Sequence, residues 1–125
     1  VLAQRILAAI GDFIVLAESH LVAVTAVSGC GPAYVYELIQ AMADGGVTLG
    51  LPRHLALKLA AQTVRGAAVM VMETHVHPTE LRDQVCSPGG ATIQGVNVLA
   101  RHAFNSAVIE AEIAAYERSV ELGKK

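Results

Sequence analysis

Apolar side chains recur along this chain at helical spacing, in stretches that proline and glycine cut apart. Residues 2–10 suit a short helix, with Gly11 as its C-terminal stop. Residues 12–16 (Asp-Phe-Ile-Val-Leu) break the period, and their β-branched and aromatic character predicts a strand. A single strand needs a neighbour. It is therefore expected to pair with a sheet outside this chain or across a subunit boundary. Ser19 is placed to cap a helix running to about Val27, which Ser28-Gly29-Cys30-Gly31-Pro32 should then break. Pro32 suits the first position of the next helix, to about Leu49. That helix is apolar nearly all round, with Glu37, Gln40 and Asp44 in a narrow polar stripe, so it belongs in a core or an interface. After the turn Gly50-Leu51-Pro52, helix 53–73 carries His54, Lys58, Gln62, Arg65 and Glu73 on one face and is apolar on the other. Thr74 to Pro78 reads as a loop, and Pro78 opens a short helix to about Val85. Helices 90–102 and 104–122 follow, with Gly123 as the stop and Lys124 and Lys125 as a solvated tail. No internal repeat or low-complexity segment interrupts this order. The predicted fold class is all-α, save the one strand.

Composition sharpens the picture. A chain of 125 residues is one domain by the usual prior. It is 54% hydrophobic but only 4% aromatic, so much of its apolar content is alanine. Small side chains let helices approach closely, yet each buries little surface. An obligate oligomer of interlocked helices is the expected outcome. Mean hydropathy of +0.49 raises the question of a membrane. Arg5 and Asp12 interrupt the first apolar run and Arg65 the run from Leu59 to Met72, so the chain reads as soluble. The net charge of −2 is spread along the chain, without the basic stripe of a nucleic-acid surface. Cys30 and Cys86 are too few and too far apart for a disulfide framework or a zinc knuckle. Reduced thiols and a cytoplasmic location, or a mitochondrial one in a eukaryote, are expected. Because Val1 is not a start methionine, the chain is expected to be a piece of a longer protein.

The most informative stretch is Val85-Cys86-Ser87-Pro88-Gly89-Gly90-Ala91-Thr92-Ile93-Gln94-Gly95. Pro88 stops one helix, and Gly89 and Gly90 are expected to take backbone angles closed to other residues. Ala91, Thr92 and Ile93 begin a new helix-compatible run. A glycine turn feeding a helix leaves backbone N–H groups unpaired at the positive end of the helix dipole. Such a place attracts a phosphate or a carboxylate. Thr92 adds a hydroxyl within the first turn. An ordinary connection between two helices would show the same local pattern.

Three stretches stand in order at characteristic spacing: Ala26-Val27-Ser28-Gly29-Cys30-Gly31-Pro32-Ala33-Tyr34, Ala43-Asp44-Gly45-Gly46-Val47-Thr48-Leu49-Gly50-Leu51-Pro52, and Leu81-Arg82-Asp83-Gln84-Val85-Cys86-Ser87-Pro88-Gly89-Gly90-Ala91-Thr92. Together they resemble the C-terminal domain of pyrroline-5-carboxylate reductase. The likeness covers nearly the whole chain. It implies an interwoven helical dimerisation domain of the 6-phosphogluconate-dehydrogenase-like C-terminal type, preceded by a Rossmann domain and often assembled into larger rings. Residues 1–17 would then be the end of the nucleotide-binding domain, its last helix and strand, and residues 18–125 the helical dimerisation and substrate-binding domain. No G-x-G-x-x-G follows a strand here, so the nucleotide fingerprint itself lies outside the chain.

The reaction implied is hydride transfer from NADPH or NADH to the C=N carbon of 1-pyrroline-5-carboxylate, giving L-proline. The resemblance gives Gly89, Gly90 and Ala91, with the Thr92 hydroxyl and the flanking Val85 and Ser87, the substrate carboxylate. Thr25 matches a threonine close to the imine nitrogen. A hydroxyl is no strong acid at neutral pH, so Thr25 is assigned an orienting role and solvent the iminium proton. Cys30, Val22 and Cys86 depart from residues common in the family, the first and last from serine or threonine and Val22 from aspartate. None of these departures removes the carboxylate cradle.

Other chemistries fit less well. His75-Val76-His77 supplies two ligands at most, with no Cys or carboxylate at zinc spacing, so no metal is expected. A nucleophilic Cys30 or Cys86 would need a paired base that the sequence does not place. Glu110 and Glu112 point to different sides of a helix and are no catalytic pair. Tyr34 and Tyr36 are read as subunit-interface residues. The alternative to an enzyme half is a non-catalytic helical dimerisation module that kept the scaffold. A hydroxyacid dehydrogenase with a related helical domain would lack the Ser-Pro-Gly-Gly turn.

Overall fold

Alanine and glycine set how closely the helices of this chain meet, and that spacing organises the fold. The computed structural model describes residues 2–124; Val1 and Lys125, the last residue of the expected tail, lie outside them. In chain order the helices are α1 (Leu2–Leu7), α2 (Leu21–Val24), α3 (Gly31–Thr48), α4 (Arg53–Thr74), α5 (Pro78–Val85), α6 (Ala91–Arg101) and α7 (Phe104–Gly123). A single 3₁₀ turn, Glu18–His20, leads into α2, and a π turn, Thr25–Gly29, joins α2 to α3.

The α3–α4 hairpin is the best-packed part. Ala43, Ala56 and Ala60 are buried at its centre, with Ile39 and Val47 half-buried around them. A Cβ built on Gly46 would lie 3.1 Å from that of Ala56, so a side chain there would push the two helices apart. The connection closes as a Schellman motif. Gly50 sits at φ +98°, its N–H donates to the Val47 carbonyl at 2.9 Å, and the Leu51 N–H donates to Gly46 at 3.0 Å. At the same end, Arg53 pairs with the Asp44 carboxylate, which also accepts from Gln40 at 3.0 Å.

Helix α7 packs against α2, against the Thr25–Gly29 turn and against α6. Ala26 is buried in this second contact region. Tyr34 is half-buried, and its hydroxyl donates to the Ala111 carbonyl at 3.2 Å, tying α3 to α7. Tyr36 instead stays on an open face, 69% exposed.

Among the described residues only Ala26, Ala43, Ala56 and Ala60 are buried. Large apolar side chains stand in the open, among them Leu49 at 87%, Met72 at 61% and Ile109 at 57% exposed. So much uncovered apolar surface marks faces made for contact rather than for water.

Four expectations from the sequence are corrected. Residues 12–16 form neither helix nor strand, and no strand occurs among the described residues; a strand without a neighbour has no ladder to join. The helix expected over 2–10 ends at Leu7, with a hydrogen-bonded turn from Ala8 to Ile10. The break expected at Ser28–Pro32 is a π turn within one helical path from Glu18 to Thr48. Ser19 does not cap that path: the cap position is Ala17, without a side-chain hydrogen bond. Because the break does not form, Glu18–Thr48 joins Arg53–Thr74 in being long and apolar enough to cross a membrane by length and composition. The remaining boundaries fall within a residue or two of those expected.

Candidate functional site

The link between α5 and α6 follows from its residues one by one. Helix α5 stops at Val85, and the Cys86 N–H donates to Asp83 at 3.1 Å. Ser87, Pro88, Gly89 and Gly90 then form a turn of the type II pattern. Pro88 holds the second position and Gly89 the third at φ +67°, and the Gly90 N–H closes onto the Ser87 carbonyl at 3.0 Å. Only Gly89 takes the left-handed angle. Gly90, at φ −75°, is glycine for a different reason: a Cβ there would lie 2.3 Å from the Ser87 hydroxyl and 3.1 Å from the Ser87 carbonyl.

The Gly90 amide is therefore engaged by the turn itself. The donors left open are those of Ala91, Thr92 and Ile93, the first turn of α6, where no side chain caps the helix. Ser87, Pro88, Gly89, Ala91 and Thr92 are exposed and Ile93 is half-buried, so the turn itself lies at the surface. Open amides, a helix dipole and the adjacent Thr92 hydroxyl together suit a small carboxylate. Val85 is 64% exposed at the rim of the turn. Arg82, one helical turn back, holds the Asp83 carboxylate at 2.7 Å, and that hydrogen bond and charge raise the affinity of the guanidinium for its proton.

Thr25 lies elsewhere, on the π turn that packs against α7 and α3. Its hydroxyl donates to the Leu21 carbonyl at 3.0 Å, which leaves the oxygen able to accept from a ligand. The turn that carries Thr25 and helix α6 both contact α7, and the Thr25 hydroxyl bonds within its own helical segment rather than to the Ser87–Thr92 turn.

His75 and His77 have structural work. His75 ends α4 in the left-handed region at φ 55°, and His77 caps α5, its Nδ1 accepting from the Thr79 N–H at 3.2 Å. The sequence reading missed this cap because histidine is not among the usual capping residues. No cluster of three or more His, Cys, Asp or Glu side chains gathers among the described residues. Cys30 and Cys86 are free and half-buried.

Residues 18–122 match the family model described as pyrroline-5-carboxylate reductase dimerisation. The chain belongs to this family. It is 55% identical over 123 residues to the pyrroline-5-carboxylate reductase of Synechocystis, an alignment covering 98% of the chain and 46% of that relative. A solved pyrroline carboxylate reductase of Plasmodium falciparum, described with NADP bound, superposes with a TM-score of 0.90 at 37% identity, over 98% of this chain and 47% of that one. A pyrroline-5-carboxylate reductase structure from Coxiella burnetii gives 0.91 at 39% identity, over 97% and 45%. The chain thus spans about half the length of the reductases it matches. The all-α architecture is that of the family's helical domain.

Proposed function

We propose that the chain is the dimerising and substrate-holding half of a pyrroline-5-carboxylate reductase, which reduces 1-pyrroline-5-carboxylate to L-proline with NADPH or NADH. Residues 1–17 are assigned to the end of the preceding nucleotide-binding domain and 18–125 to the helical domain, with a homodimer, and rings of such dimers, as the assembly and the cytoplasm as its place. The observation that carries the reading is the exposed Ser87–Thr92 turn. A scaffold serving association alone has no use for a sharply built turn that presents unpaired amides to solvent.

The described residues do not fit a dinucleotide. They contain no strand and no glycine fingerprint at a strand end, so the cofactor is assigned to the half outside this chain. What this chain's residues contribute is grip and orientation. The amides of Ala91, Thr92 and Ile93 hold the carboxylate and fix one end of the ring. Thr25 is the group that orients the imine nitrogen, and solvent supplies the proton.

The test uses the full-length protein. L-proline or a cyclic carboxylate analogue at millimolar concentration should raise its melting temperature, and Thr92→Ala should abolish that rise. The same preparation should oxidise NADPH only when 1-pyrroline-5-carboxylate is present. Absence of a thermal shift together with absence of turnover leaves a dimerisation module with no catalytic duty.

A further inference from the structure

The π turn at Thr25–Gly29 is a feature that the carboxylate grip does not use. Its cause is local. Proline has no N–H, and in an unbroken α-helix its ring meets the carbonyl four residues back, here that of Ser28. The chain answers by widening the turn just before it. The Cys30 N–H reaches back five residues to the Thr25 carbonyl at 2.9 Å, and helical hydrogen bonding resumes when the Ala33 N–H donates to Cys30 at 3.0 Å. Gly29 and Gly31 flank the site, and Pro32 stands in the first turn of α3.

A π turn holds one residue more than the α turn it replaces. Everything before it is therefore rotated, relative to α3, by about 100° from where a continuous α-helix would put it. Thr25 is the first residue on the rotated side.

We propose that Pro32 is a positioning residue for the reaction: by enforcing the π turn, it sets the direction in which Thr25 faces. This rests on the reading of Thr25 given above. In this role Pro32 acts through the backbone alone. The Ser87–Thr92 turn lies on a different pair of helices, so Pro32 should affect what happens to the bound ring rather than how its carboxylate is held.

The experiment is a double-mutant cycle on the full-length enzyme. Pro32→Ala should restore α hydrogen bonding, with the Cys30 N–H moving to the Ala26 carbonyl in a crystal structure of the variant. kcat should fall about tenfold, while KM for the imine substrate stays within about twofold. In a Thr25→Ala background, Pro32→Ala should cost almost nothing more, because the hydroxyl it misplaces is already gone. Deleting Val27 in the Pro32→Ala chain is the complementary variant. With no proline to widen the turn and no extra residue to place, Thr25 keeps its wild-type direction relative to α3, so kcat should stay within about threefold of wild type, and this double variant tests the inference even where Pro32→Ala alone does not fold. A retained π turn in Pro32→Ala, an equal loss in both backgrounds, or a tenfold loss in the Pro32→Ala chain that also lacks Val27 overturns the inference. A Thr25→Ala enzyme that turns over as fast as the wild type overturns the reading of Thr25 instead, and this inference with it.

Discussion

The turn at Gly50–Pro52 and the turn at Ser87–Gly90 use the same residue types, yet the first seals its backbone and the second leaves it open. At the first, glycine follows a helix. Its left-handed φ folds two N–H groups back onto the last carbonyls of α3, and Leu51 reaches the space beside Gly46. At the second, glycine precedes a helix. The Gly90 amide closes the turn, and the next three amides of α6 have no carbonyl before them to bond. Proline and glycine thus seal a helix end in one order and leave a helix start uncapped in the other. The hairpin holds most of the buried side chains, and the second turn is exposed.

The largest effect that would break this comparison lies in the hairpin core. Ala43 is fully buried, facing Ala56 and Ala60. Ala43→Leu adds three carbons where the helices leave no room, and should destabilise the full-length protein by about 3 kcal/mol or prevent folding. Urea denaturation measures it. A loss below about 1 kcal/mol would mean that the hairpin is no tighter than the rest.

Replacing one glycine in each turn sharpens the contrast. Gly90→Ala forces the Ser87 hydroxyl out of its place and presses on the Ser87 carbonyl, so the turn that presents the amides must shift. Affinity for L-proline, read by titration, should fall about tenfold or more, about 1.4 kcal/mol. Gly50→Ala has open space for its methyl but keeps an unfavourable left-handed φ. It should cost about 1 kcal/mol of stability and leave proline affinity unchanged. Equal effects of the two variants on proline affinity would erase the functional distinction between the turns.

Much of this was legible beforehand, for reasons that differ by segment. The boundaries of α4, α5 and α7 followed from Pro52, Pro78 and Gly123, which act within a few residues of themselves. That the start of α6 leaves amides open was legible in Ser87–Thr92, because unpaired amides at a helix start follow from chain geometry alone. The exchange of roles between the two glycines was not, since it depends on the rotamer of Ser87. Ser28–Pro32 was misjudged as a break because the chain answers a proline in the first turn of α3 by widening the turn before it rather than by ending the helical path. Residues 12–16 have strand composition without a strand, because pairing is a property of two segments.

The smallest expected effect lies at the corner between α6 and α7, which carries strain where both other turns use glycine. Ala103 sits at φ 54°, in the left-handed region that costs a residue with a Cβ about 1 kcal/mol. The corner holds because the His102 N–H donates to Val98 at 3.2 Å, and the Ala107 N–H to the carbonyl of Ala103 itself at 3.0 Å. Ala103→Gly removes the strain but adds freedom to the unfolded chain, and the two effects oppose each other. The balance should favour glycine by about 0.5 kcal/mol, seen as a rise of a degree or two in melting temperature, with proline affinity unchanged. A fall in affinity would show that the α6–α7 corner is coupled to the start of α6, and that the open turn borrows rigidity from this strained one.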